Sequence, residues 1–291
     1  MIVPPMDLTH VRGLRVASVV AGAGVLLFLF CGCGGGGPCR VLKTDHSACV
    51  SRLGLYAIYG VAVDPLNPQT VYVSDDDTVL KSTDGGSSWS RLDPWGPWGI
   101  NEVDLDPRRP DTVYVSTEVG IYRSTDGGSS WTHSLKSTYV NWIAIPPQGG
   151  VLYASVASCF MCTYHGPPHF ESTDGGASWK VLRGRLPRLA FAVFDPYHPK
   201  WHHFDIDVAG YTANTGGLAF SRNAEYAAGN DGVYEKMNTG RTWRLVARDK
   251  NFDSIAVSAN GRVLYAGTDG GITASGDMFS SLYRFRLSGR R

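Results

Sequence analysis

Lys81-Ser-Thr-Asp-Gly-Gly-Ser-Ser-Trp89 decides the fold, because the chain returns to it. It recurs as Arg123-Ser-Thr-Asp-Gly-Gly-Ser-Ser-Trp131 and as Glu171-Ser-Thr-Asp-Gly-Gly-Ala-Ser-Trp179. A worn copy runs Lys236-Met-Asn-Thr-Gly-Arg-Thr-Trp243, and a fainter one is Ser275-Gly-Asp277 with Leu282 at the Trp position. Each residue type has a local structural use. Asp84, Asp126 and Asp174 stand where a carboxylate accepts N–H groups of its own turn, with Asn238 and Asp277 in the worn copies. Gly86, Gly128 and Gly176 supply positive φ. Ser82, Ser124 and Ser172 bond nearby backbone, and Trp89, Trp131, Trp179 and Trp243 are large apolar plugs.

Outward from the box, the upstream partners repeat as well. Val61-Ala-Val-Asp-Pro-Leu-Asn-Pro-Gln-Thr-Val-Tyr-Val73 matches Val103-Asp-Leu-Asp-Pro-Arg-Arg-Pro-Asp-Thr-Val-Tyr-Val115. A short apolar strand, a Pro-rich turn and a Thr-Val-Tyr-Val strand precede a third strand that enters the box. A fourth leaves from the Trp. Four short strands in a unit of roughly 40 residues predict an all-β chain forming a single β-propeller. First strands start near Val61, Val103, Ile143, Phe191, Leu218 and Ile255. The unit from Phe191 to Val208 supplies only two strands around Asp195-Pro-Tyr-His-Pro199, so five to six four-stranded blades are expected. The box then lies between third and fourth strands. The loops joining second to third strands, and blade to blade, gather on the opposite face. Three box acids spread around a ring cannot meet at one substrate, so they are read as structural.

The box resembles the Asp-box (BNR) repeat of sialidases, sortilin-type receptors, xyloglucanases and photosystem-assembly propellers, over about Tyr56 to Leu287. The resemblance implies a propeller and little about activity, since families sharing the repeat do unrelated things.

The N-terminus has a different character. His10, Arg12 and Arg15 precede an apolar run from Val16 to Phe30, then Cys31-Gly32-Cys33 and Gly34 to Gly37. A charged segment followed by a short apolar one reads as an export signal. It resembles a bacterial lipoprotein signal, which implies lipid on Cys33, membrane attachment through that lipid, and an envelope location. Residues 1–33 are thus read as signal, 34–52 as a Gly-rich tether and N-terminal segment, and 53–291 as the propeller. Cys39, Cys49, Cys159 and Cys162 remain and can form two bridges, Cys39–Cys49 and Cys159–Cys162. Cys159, Cys162, His165 and His169 also present types that zinc accepts, and free thiols are the third alternative.

The face opposite the boxes is where a ligand is sought. Its second-to-third connections carry Asp75, Asp76, Asp77, Glu118, Asp231 and Asp269, and a blade-to-blade loop carries Trp95 and Trp98. Acids and aromatics at a concave mouth suit a sugar or a protein. Asp in short connections also serves turns. The chain carries 27 Lys and Arg against 26 Asp and Glu, a net charge of +1. That balance gives no basic surface for nucleic acid. No cofactor motif and no catalytic constellation is present, and Tyr56-Ala-Ile-Tyr59 opens the first blade without the Arg-Ile-Pro of sialidases. The expectation is a monomeric, non-catalytic binding or scaffold propeller for an envelope protein or glycan. A glycoside hydrolase is the alternative, and a decayed family member a third reading.

Overall fold

The computed structural model describes residues 48–287, apart from 54, 56, 76, 93–98, 138, 146–149, 157–168, 184–192, 195–200, 203–206, 209–210, 213–216, 230–231, 241, 249–251, 269–270 and 273–277. Every regular element among the described residues is a β-strand. Strand β1 (Ala48–Arg52) comes first. The first sheet then follows as β2 (Gly60–Val63), β3 (Val71–Ser74), β4 (Val79–Ser82) and β5 (Ser90–Leu92). The second is β6 (Ile100–Asp106), β7 (Arg109–Thr117), β8 (Gly120–Ser124) and β9 (Thr132–Lys136). The third is β10 (Val140–Ala144), β11 (Leu152–Val156), β12 (His169–Ser172) and β13 (Lys180–Val181). Two short antiparallel pairs come next, β14 (Val193–Phe194) with β15 (Trp201–His202) and β16 (Asp207–Val208) with β17 (Tyr211–Thr212). The fourth sheet is β18 (Leu218–Phe220), β19 (Ala224–Gly229), β20 (Gly232–Met237) and β21 (Arg244–Arg248). The last sheet starts with β22 (Phe252–Val257) and β23 (Val263–Thr268). A pair, β24 (Gly271–Ile272) with β25 (Met278–Phe279), then leads to β26 (Ser281–Arg286).

All five four-stranded sheets are antiparallel, and their first strands pack side by side: β18 on β22, β22 on β2, β2 on β6, and β6 on β10. The last sheet therefore neighbours the first. The second strands are covered on both faces, which is why they read as unbroken apolar runs rather than alternating ones. Val71, Tyr72 and Val73 are buried, and so are Val113, Tyr114 and Val115. Apolar clusters form between sheets: Tyr72 and Val79 of the first pack with Ile100, Val103, Val113 and Val115 of the second. Spacing between first strands is tight, since a Cβ on Gly60 would lie 2.8 Å from the Val103 backbone nitrogen.

The box turns are self-contained. Ser82 donates to Asp84 at 2.8 Å and accepts from the Gly86 N–H at 2.8 Å. Asp84 accepts the Ser87 and Ser88 N–H groups at 2.9 and 2.8 Å and the Ser88 hydroxyl at 2.6 Å. Asp126 with Ser124, Gly128 and Ser130, and Asp174 with Ser172, Gly176 and Ser178, repeat this pattern. Hydrogen bonds to the charged form hold Asp126 down to about 2, and lower Asp84 and Asp174 in the same way. Trp89 and Trp131 donate to Gly86 and Gly128 within their own turns, whereas Trp179 reaches back to Ser134 of the second sheet at 3.3 Å.

Each box also receives its neighbour. Tyr72 and Lys81 of the first sheet both donate to the Gly127 carbonyl of the second, at 3.2 and 2.8 Å. Tyr114 and Arg123 of the second donate to Gly175 of the third, at 2.7 and 2.9 Å. Arg284 of the last sheet donates to Gly85 of the first at 2.7 Å, and Tyr265 to Pro68 at 3.0 Å. In the first, second and last sheets one Tyr and one cation, paired across adjacent strands, thus form a latch onto the next sheet; in the fourth the cation position holds Glu235, which accepts from Tyr226 of its own sheet. At the third sheet the cation position holds Glu171, whose carboxylate cannot donate to a carbonyl.

Three details differ from the sequence reading. Ala48–Arg52, placed there in the tether ahead of residue 53, is a strand that pairs with β26 from Ala48↔Phe285 to Arg52↔Ser281 and completes the last sheet. Leu282 is not at a box Trp position. It lies within the third strand of the last sheet, 2% exposed, where Arg284 aligns with Lys81 and Arg123 through its pairing with Tyr265. Asn238 also reaches outside its own turn. Its side-chain amide donates to the Arg222 carbonyl, and Lys236 turns to Glu225 and the Trp243 ring of its own sheet.

The latch gives a direct test. Arg123→Met keeps the aliphatic stem but removes the donor to Gly175. We expect a loss of about 1 kcal/mol in urea unfolding, and a similar loss for Tyr114→Phe. Combined, the two are expected to lose less than the sum, because they share one carbonyl.

Candidate functional site

The second-to-third turn of the second sheet is bonded to the loops on both sides of it. Glu118 donates its N–H to Gly99 at 2.8 Å and accepts the Tyr139 N–H at 2.8 Å, while Ser137 donates to Val119. Gly99 is required here: a Cβ on it would lie 2.2 Å from the Glu118 Cγ. Tyr139 adopts φ 46°, a left-handed conformation unusual for a residue with a side chain. The side chains of Glu118 and Val119 project outward, Val119 being 38% exposed. His133 stacks on Tyr122 below this rim, with ring centroids 4.3 Å apart.

Asp75 is placed otherwise. It is buried, and its Oδ1 accepts the N–H groups of Asp77 and Thr78 at 3.2 and 2.9 Å, closing the β3–β4 turn. Asp77 is exposed and accepts the Thr78 hydroxyl at 2.8 Å. Asp76, Trp95, Trp98, Asp231 and Asp269 lie outside the described residues, as do Cys33, Asp277, Cys159, Cys162 and His165. His169 sits on β12, its Nδ1 3.3 Å from the Ser155 hydroxyl, and burial lowers its pKa. Among the described residues no group of three or more His, Cys, Asp or Glu could hold a metal ion, and no helix is long and apolar enough to cross a membrane.

Sequence reading passed over the chemistry on β6. The tyrosine of each second strand faces one residue of the first strand: Ala62 opposite Tyr72, Ala144 opposite Tyr153, Ala219 opposite Tyr226 and Ala256 opposite Tyr265. In the second sheet that residue is Asp104, opposite Tyr114. Two positions earlier stands Glu102, opposite Ser116, where the first and last sheets carry Gly60 and Ser254. Alternation puts Glu102 and Asp104 on one face of the strand, with Tyr114 and Ser116. Tyr114 belongs to the apolar cluster with Val140, Ile143 and Ala154 of the third sheet, so the acids face that interface. Asp104 is half-buried, and its Oδ2 is buried without a hydrogen-bond partner. Burial pushes Asp104 up to about 7. Burial first, then the Asp104 charge, raises Glu102 well above the usual carboxylate range. The signal was present in the sequence: aligning Val61-Ala-Val with Val103-Asp-Leu sets an acid where the repeat has Ala.

A carboxyl raised in the folded state binds a proton that the unfolded chain has already released. Its contribution is therefore complete below the ordinary value near 4 and is lost as pH rises through about 7. Asp104→Ala restores the residue of the other sheets. In chelator-treated buffer its melting temperature is expected to exceed that of the parent by a margin that widens by a few degrees from pH 5 to pH 8. A margin that stays flat, or narrows, contradicts this assignment.

No family model matches the chain, and no curated protein does. Among solved structures it is similar to an ancestral GH74 enzyme, with 24% identity and a TM-score of 0.39 over 73% of this chain and 27% of that one. It is similar to the GH74 enzyme of Niastella koreensis, with 18% identity and a TM-score of 0.37 over 79% of this chain and 36% of that one. It thus spans well under half the length of either enzyme. It is also similar to YCF48 from Cyanidioschyzon merolae, with 13% identity and a TM-score of 0.43 over 81% of this chain and 98% of that one. For YCF48 bound to a D1 peptide the figures are 17%, 0.40, 86% and 82%.

Proposed function

We propose that this chain is a non-catalytic binding propeller of the Asp-box type, held at the bacterial envelope by lipid on Cys33, and that it captures a protein or glycan partner on the face opposite its boxes. The observation that carries this reading is the rim at Glu118. Backbone bonds from one turn to both flanking loops fix the rim before any partner arrives, so little ordering cost falls on binding. It offers an exposed carboxylate beside an exposed aliphatic side chain, Val119. Asp77 stands in the corresponding turn of the first sheet, and Asp76, Trp95, Trp98, Asp231 and Asp269, which the sequence assigns to this face, lie outside the described residues.

The hydrolase alternative asks for two carboxyl groups that a sugar chain can reach. The two carboxyls with raised pKa lie on a strand face turned toward the apolar third sheet, not on the loop rim. Asp75 is committed to its own turn.

The test is sugar release by the purified chain from a panel of sialosides and plant and bacterial polysaccharides, alongside binding to the same panel and to envelope extracts. We expect no release above a heat-denatured control. Binding is expected to fall at least tenfold in Glu118→Lys with Val119→Asp, and to persist in Ser87→Lys on the box face. Release that tracks the folded protein overturns the reading in favour of an enzyme.

A further inference from the structure

We propose that Glu102, Asp104 and Ser116 bind a calcium ion at the inner strand of the second sheet. This inference stands independently of the partner-binding reading.

Departure from the repeat is the first ground. Four sheets place alanine opposite the tyrosine of the second strand, and only the second sheet places a carboxylate there. A side chain that costs stability is retained where something compensates its charge. No cation of the protein does so among the described residues. Arg109 is bonded to Asp106, and Arg123 is bonded to Gly175.

Unused ligand atoms are the second ground. Ser116 is fully buried and its Oγ has no hydrogen-bond partner. It stands directly across from Glu102 on the same sheet face. The Asp104 Oδ2 is likewise buried and unpartnered. Ser74 occupies the matching place in the first sheet, also without a partner, but it faces Gly60 and has no acid beside it. Among the described residues, a buried free hydroxyl and a buried free carboxylate oxygen flank a second carboxyl in the second sheet alone.

The donor set then selects the ion. All three side chains offer oxygen, which suits a hard cation and not a soft one. Residues two apart on a strand stand about 7 Å from each other, a separation that the longer Glu102 side chain reduces. Calcium tolerates such irregular sets and fills its remaining positions with water, whereas magnesium requires near-octahedral geometry. Two carboxylates against one divalent ion leave no net charge in the interface. Glu102 and Asp104 are each only half-buried, so part of each side chain stays open to water.

The experiment uses the purified full chain at pH 7.5, stripped with chelator, and two probes. Added calcium is expected to raise the melting temperature by about 5 °C at a hundredfold excess over Kd. Terbium is expected to show calcium-displaceable luminescence sensitised by Tyr114, which sits across from Asp104. Both responses are expected to vanish in Asp104→Ala, which carries the residue the other sheets use, and to weaken at least tenfold in affinity in Glu102→Gln. A parent chain that responds to neither ion overturns the proposal. So do responses retained in Asp104→Ala, which would place the ion on other acids.

Discussion

The structure depends on one repeated interaction: a tyrosine and a cation on adjacent strands of one sheet, donating to a glycine carbonyl in the box turn of the next. The box first satisfies its own N–H groups through Ser and Asp, and this fixes its glycine carbonyl in space. The neighbouring sheet then has a rigid acceptor. Apolar packing between sheets supplies most of the cohesion, but it is non-directional. The latch gives it direction at three junctions, where the last sheet grips the first, the first the second, and the second the third. It also runs from the last sheet to the first through Arg284 and Tyr265, so the chain's two ends are held in one arrangement.

Much of this was legible in the sequence because the repeat is a physical unit. Three near-identical boxes and two matching strand pairs specify four-stranded sheets, and Thr-Val-Tyr-Val shows strands covered on both faces. The N-terminal strand was not legible. Ala48–Arg52 gains its partner only from β26, more than two hundred residues away, and nothing local marks it. Nor was the true alignment of the last sheet. Ser275-Gly-Asp277 resembles a worn box, while the pairing of Arg284 with Tyr265 is a fact of register.

The site was legible in reverse. Loop acids drew attention because loops carry function in scaffolds of this type, yet Asp75 spends its carboxylate on its own turn. Glu118 keeps its side chain free of that duty and stands on a rim fixed by its backbone. The more unusual chemistry lies within the regular framework, at Glu102 and Asp104. There the repeat supplies the reference: a residue that differs from four counterparts, at a place where difference is costly, is more informative than an acid in a turn. The same logic accounts for Glu171, which interrupts the latch at the third sheet, just before the short pairs β14–β15 and β16–β17.

The central claim is that the last, first, second and third sheets form one latched succession, completed by the N-terminal strand on the last sheet. Native-state hydrogen exchange at Ala48–Arg52 and Ser281–Arg286 tests it most directly. The account predicts that amides donating across the β1–β26 ladder exchange as slowly as those of Val113–Val115, since opening them requires opening the last sheet and its junction with the first. Exchange at Ala48–Arg52 as fast as in a free chain, with β26 still protected, would contradict it.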